Sequence, residues 1–307
     1  MADAILLLAH GTPDSVDEIP GYLSRVTQGR PLQDAVAEEV KHRFSAIGGS
    51  PLTRLTLEQG RLLADELNLP VYVGMRNWKP YIPDVVRKMR EDGITRAVVI
   101  CLAPQNSRTS VGLYRKAVFA AAENALTLRF IDDWAEHPLL ADAFAERLRA
   151  VLSSDVESPA TVLFTAHSVP CRTVISVPQA DPNAKPDSPD PYPVEAKLTA
   201  GLVASRIGLT PDQWFFAFQS QGMSGGPWLG PTVEDTLRAL REQGVTNVII
   251  QPIGFLCDHV EILYDIDVAF RQFAAGLGMT VQRPESLNDS LLLTLALADL
   301  ARKGLAS

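Results

Sequence analysis

The chain has 307 residues, which suits about two domains of ordinary size, and 46% of them are hydrophobic, enough for two cores. A net charge of −8 with no basic run excludes a nucleic-acid partner, because phosphate affinity needs clustered Lys and Arg. Twenty-two prolines and twenty glycines exclude long coiled coils, and the apolar runs are strand-sized, far short of a bilayer span.

The first element is a buried strand, Ile5-Leu6-Leu7-Leu8-Ala9, which delivers His10 and then Gly11-Thr12-Pro13. Its start lacks the basic flank and the cleavage site of a secretory signal, so a cytoplasmic protein with at most peripheral membrane contact is expected. Gly48-Gly49-Ser50-Pro51 is turn material without phosphate-loop spacing. Residues 83–92 form an amphipathic helix opened by an acidic residue, with Gly93 placed for a left-handed C-cap. A second strand run follows at 93–100. The helical stretch 139–152 ends at the polar break Ser153-Ser154-Asp155, which divides the chain into domains 1–153 and 154–307.

The second half opens on Val162-Leu163-Phe164-Thr165-Ala166, again a strand that delivers a histidine, His167, followed by Ser168-Val169-Pro170. Residues 177–193 carry six prolines, too many for a helix interior or a central strand. They read as a solvated connector or as a lip over the site. Residues 232–243 repeat the amphipathic pattern and end at Gly244, ahead of the strand run 244–251. The chain then reaches Asp258, placed as a helix N-cap, with Glu261 at N3 and Asp265 one turn later on the same face. Glu261 there either closes a capping box or presents a carboxylate to a site. His259, two residues before it, is expected to point away and to be structural.

These elements repeat. The two strand–histidine segments stand 157 residues apart and the two Gly-led strands 151 apart, in the same order. Continuous apolar strands alternating with amphipathic helices predict two similar doubly wound α/β domains with a cleft between them. Ligands in such folds bind beyond the carboxyl ends of the strands, which places His10 and His167 at one mouth. Imidazole titrates near neutrality and can take a proton or bind a metal, so His167 leads the candidates. Cys101, Cys171 and Cys257 are isolated, which suits a reducing compartment and argues against a zinc ribbon. Cys101 and Cys257 sit in or beside apolar runs and read as buried hydrophobes.

Ala166-His167-Ser168-Val169-Pro170, Asp190-Pro191-Tyr192-Pro193, Gln219-Ser220-Gln221-Gly222, Pro227-Trp228-Leu229-Gly230-Pro231 and the segment 254–265 resemble the ferrochelatase family in order and spacing. So do Gly11-Thr12-Pro13, Gly48-Gly49-Ser50-Pro51-Leu52 and Glu285-Ser286-Leu287-Asn288. The resemblance implies two parallel four-stranded sheets flanked by helices, with a porphyrin held between them. It implies insertion of ferrous iron in haem biosynthesis, with His167 as base or metal ligand, Glu261 as its partner across the ring, and Asp265 behind Glu261. Tyr192 and Trp228 lie in matched motifs, Trp228 as a flank for an apolar ring. Arg30, Arg76 and Arg115 have the chemistry to pair with ring carboxylates; Arg30, beside Gly29, is expected to do so, whereas Arg76 and Arg115 read as solvated surface residues.

His10 departs from the family, where tyrosine, leucine or methionine usually precedes Gly-Thr-Pro; it supplies either an extra ligand or a packing contact at the substrate edge. Iron and porphyrin are substrates, no cofactor is expected to stay bound, and no cysteine follows Cys257 to hold an iron–sulfur cluster on the C-terminal tail. A monomer is expected. Leu102-Ala103-Pro104-Gln105 resembles members using coproporphyrin III, whereas Glu285-Ser286-Leu287-Asn288 resembles those using protoporphyrin IX. The alternatives are a cobalt or nickel chelatase for a related tetrapyrrole and a non-catalytic haem or porphyrin carrier.

Overall fold

The computed structural model describes residues 2–123, 125–152, 160–175, 189–222 and 226–307. The division at 153/154, most of the proline-rich segment and the centre of the turn at 222–226 lie outside them.

Among the described residues, eight strands form two parallel sheets. β1 (Asp3–Ala9), β2 (Val71–Met75), β3 (Arg96–Cys101) and β4 (Thr127–Ile131) are ordered β2-β1-β3-β4. β5 (Thr161–His167), β6 (Trp214–Gln219), β7 (Asn247–Pro252) and β8 (Thr280–Gln282) repeat the plan as β6-β5-β7-β8. The repeat in the sequence is therefore a repeat of topology, and β1 and β5 occupy the same interior position. Interior parallel strands are covered on both faces, which is why residues 4–8 are an unbroken apolar run and wholly buried.

The two-residue period of a strand divides that run between two cores. Ala4, Leu6 and Leu8 face the helices Ile82–Glu91 and Val111–Ala122. Ile5, Leu7 and Ala9 face a core shared with Val162, Phe164 and Ala166 of the second sheet. Helices Leu52–Leu67, Pro138–Leu152, Tyr192–Ile207 and Leu291–Ala306 contribute to that shared layer. The last of these returns from the end of the chain to pack on β3 and on the helix Leu52–Leu67. The two sheets are thus joined by one apolar layer, and the cleft opens where that layer stops.

The expected helix stops hold. The helices Ile82–Glu91 and Val233–Glu242 are followed by Gly93 at φ 76° and Gly244 at φ 85°. Thr232 caps the second helix, accepting from the Asp235 amide at 3.1 Å. Asp258 differs from expectation. The short helix Val260–Leu263 starts one residue later than an Asp258 cap requires, with His259 in extended geometry at its N-cap. The Asp258 carboxylate instead accepts from Arg283 (3.1 Å), Ser286 (2.7 Å) and Asn288 (3.1 Å), a set of donors that outcompetes one helix amide. Among the described residues, no helix is long and apolar enough to cross a membrane.

Candidate active site in the cleft

A cavity of about 380 Å³ opens at the carboxyl ends of the two sheets. His10 and Arg76 line it from the first sheet, His167, Tyr192 and Trp228 from the second, together with the loop 254–261.

His167 is the last residue of β5 and is held from several sides. The Tyr192 hydroxyl donates to its carbonyl at 2.9 Å. Its Nδ1–H donates to the Ser168 carbonyl, and Ser168 is itself tied to Leu229 (2.8 Å) and Gln219 (2.7 Å). With Nδ1 carrying the proton, Nε2 presents a lone pair to the cleft.

Nε2 stands 3.5 Å from Glu261 Oε1, and once protonated it donates towards that carboxylate. Glu261 stands in the first turn of the short helix, and its carbonyl accepts from Gln219 Nε2 at 3.0 Å, so β6 fixes the backbone that carries it. Its other carboxylate oxygen is 3.7 Å from His259 Nε2. One carboxylate therefore lies between two imidazoles, and the capping-box alternative for Glu261 falls away. The expectation for His259 also fails: it is buried and faces the same cleft. In a helix, residues two apart diverge. His259 is extended (φ −161°, ψ −179°), and in extended backbone residues two apart share a side.

The charges follow from this geometry. Burial alone would push the His167 imidazole down, but the Glu261 carboxylate, with help from the Ser168 carbonyl and Asp265, holds it above its ordinary value. Burial opposes ionisation of Glu261 as well, yet His167, His259 and His10 together bring it down to about 2. His259 is lowered, mainly by burial, and so stays neutral. Asp265 is raised to about 6, by burial first, against the Ser220 hydroxyl and Arg43 that favour its charge. Ser220 donates to one Asp265 oxygen, and Arg43 reaches the other at 3.2 Å.

His10 stands on the opposite wall. Its Nε2 is 3.0 Å from the Tyr22 hydroxyl and 3.1 Å from Asn77 Nδ2, and burial beside Arg76 lowers it to about 4. It is neutral near pH 7. Gly11 behind it has φ +78°, and an added Cβ would sit 2.7 Å from Met75 Cβ. Gly11→Ala is expected to cost about 1–3 kcal/mol of stability, read from the urea midpoint, and to disturb the His10 wall.

Of the arginines, Arg76 reaches the cleft. Its guanidinium lies over the Tyr114 ring at 5.4 Å, and its Nε is buried with no hydrogen-bond partner among the described residues. Arg30 is exposed, donates to the Thr27 carbonyl at 3.0 Å and lies off the cleft wall; Arg115 pairs with Asp132 at 2.6 Å on the surface. The sequence put Arg30 first, and the structure reverses that ranking, since only the β2-to-helix connection aims Arg76 inward. Among the described residues, no three of His, Cys, Asp and Glu converge as a ready metal site.

A sequence model of the family described as Ferrochelatase matches residues 2–305. A ferrochelatase of Acidobacterium capsulatum is 67% identical, over 98% of this chain and 94% of its own. A coproporphyrin III ferrochelatase of a Geobacillus species is 34% identical, over 97% of this chain and 96% of its own. Among solved structures, SirB from Bacillus subtilis with Fe3+ superimposes with a TM-score of 0.62 at 13% identity, covering 99% of this chain and 96% of that one, which is a likeness of fold.

Proposed function

The chain belongs to the ferrochelatase family, enzymes that insert ferrous iron into a porphyrin in haem biosynthesis, and from that premise we propose that His167 and Glu261 carry the reaction in the cleft. The observation that supports this most is the single carboxylate lying between two imidazoles, one of which offers its lone pair to the cavity.

Insertion breaks two pyrrole N–H bonds, forms bonds from iron to the ring nitrogens and releases two protons. A ferrous ion must shed water for this, and mixed nitrogen and oxygen donors suit it in transit. His167 Nε2 takes the two ring protons in turn, giving up the first before it accepts the second, and the adjacent Glu261 carboxylate stabilises the imidazolium that each transfer forms. Glu261 and His167 also form the donor pair that the incoming ion meets. Three or more converging ligands would hold the ion, whereas a loose pair lets it leave for the ring. Asp265, raised to about 6 and within electrostatic reach of both Glu261 and His167, carries each proton onward in this proposal. The chain acts as a cytoplasmic monomer with no resident cofactor in this proposal.

Arg76 brings a cation that has no carboxylate partner among the described residues to a cleft in a chain of net charge −8, and a ring carboxylate is the anion that matches it. Arg76→Gln is expected to raise the porphyrin KM about tenfold and to leave kcat within about twofold, since a charge-assisted hydrogen bond contributes about 1.5–3 kcal/mol. Steady-state kinetics check this, and an unchanged KM would place the carboxylate elsewhere.

The reaction is tested anaerobically with Fe(II) and either protoporphyrin IX or coproporphyrin III, following the metalloporphyrin spectrum. Multiple turnovers with one ring are expected, and the faster ring is the substrate. Stoichiometric binding of both rings without turnover would make the protein a carrier.

A further inference from the structure

The segment 102–110 leaves β3 of the first sheet and lines the cleft with Leu102, Gln105, Ser107 and Thr109; Leu102 and Pro104 bond Leu8 and Trp134 of the first half, whereas residues 105–108 are attached to the second half of the chain. The Asn106 amide donates to Glu195 Oε2 at 2.5 Å. Gln105 Nε2 donates to Thr199 Oγ1 at 3.1 Å and to the Ile253 carbonyl at 3.2 Å. The Arg108 amide donates to Asp190 Oδ2 at 2.9 Å. Glu195 and Thr199 are one turn apart on the helix Tyr192–Ile207 and so present one face to the segment.

We propose that Glu195 is a positioning residue which clasps the segment 102–110 onto the second half of the molecule and thereby sets the wall against which the porphyrin binds. The proposal rests on the cleft being the porphyrin site.

The clasp has a built-in weakness. Glu195 is half-buried and faces Asp133 and Glu136, which precede the helix Pro138–Leu152, and Asp190, which precedes its own helix. Arg108 is the cation on the clasped segment, while neighbouring His137 is turned to Asp299 at 2.9 Å. Burial first, then the three acids, raise the Glu195 carboxyl to about 7 against the opposing Asn106 amide. When the clasp opens, the side chain returns to water and to the ordinary carboxyl value of 4.5. The closed form thus holds a proton that the open form releases. Its stability is fully present below pH 4.5 and is lost progressively as the pH rises to about 7.

The test uses the full chain without iron, so that it stands whether or not iron is turned over. Hydrogen–deuterium exchange at the Asn106 amide, corrected for intrinsic rates, and porphyrin Kd by fluorescence are measured at about pH 5.5 and pH 8. In the wild type, both exchange and Kd are expected to rise at least about tenfold with pH. Glu195→Gln, which keeps the acceptor oxygen without the charge, is expected to hold both low at either pH. Glu195→Ala is expected to lose protection at both. Equal protection of the wild type at both pH values overturns the proposal, as does loss of protection in Glu195→Gln.

Discussion

Replacing His167 with alanine is expected to lower turnover by about 10²–10⁴-fold while porphyrin Kd changes by no more than about threefold. The magnitude is that of a positioned proton acceptor, and the geometry explains why no neighbour substitutes. Nδ1 is occupied by the Ser168 carbonyl, the ring is held at the end of β5, and Nε2 is the basic atom turned to the cleft. His259 faces the same carboxylate but is lowered by burial and is a weaker base. His10 is weaker still, at about 4, and is engaged by Tyr22 and Asn77. The base form of His167 is required, and Glu261 raises its proton affinity. Activity should therefore climb as the pH rises through a value above 6.5, the ordinary imidazole value. Single-turnover kinetics with preloaded porphyrin separate this loss from a loss of binding. Turnover retained within about tenfold would remove His167 as the base.

Glu261→Gln is expected to be the second most damaging change, lowering turnover by about 10²-fold or more, and it carries a signature that simple damage lacks. Its carboxylate is the chief influence raising His167, so the amide should let the His167 pKa fall. The acid limb of the pH–rate profile then moves to lower pH, and imidazole NMR should show the same shift. Stability changes in a defined window. Glu261 is lowered in the fold, so its contribution is present above 4.5 and is lost as the pH falls towards about 2. His167 is raised, so its contribution is full below 6.5 and is lost as the pH rises through the raised value. The pair contributes most between those limits, and the variant should be least stable relative to wild type there. An unmoved acid limb would show that the two groups are not coupled.

The parts of the fold that were legible in the sequence share one property: they are fixed by short-range pattern. The unbroken apolar run at 5–9 requires a strand covered on both faces. Gly93 and Gly244 are where a helix must stop, and both do adopt positive φ. Because the two halves repeat these signals in the same order, the common strand order of the two sheets could be anticipated. The placement of His167 at a strand end follows from the same local logic.

What the sequence hid depends on direction and on distant partners. His259 was assigned by helical geometry, and one extended residue reversed its direction. Asp258 has the chemistry of a cap, yet Arg283, Ser286 and Asn288, some 25 to 30 residues on, claim its oxygens. Among Arg30, Arg76 and Arg115 the sequence favoured Arg30, yet the β2 connection turns Arg76 to the cleft and leaves the other two on the surface. The helix Leu291–Ala306 carries no mark in its composition that it will cross back to the first sheet.

The sequence by itself determined the two α/β repeats, the strand-end histidine and the carboxylate after Asp258, because apolar periodicity and glycine stops act over a few bonds. Tertiary structure alone decided that Glu261 would lie between His167 and His259, that Arg76 would face the cleft without a carboxylate partner among the described residues, and that Glu195 would hold the wall of the opposite half. The contacts of Glu261 with His167 and of Glu195 with Asn106 each join groups about ninety residues apart in the chain, and burial and electrostatic partnership exist only once the two sheets have closed on their shared core.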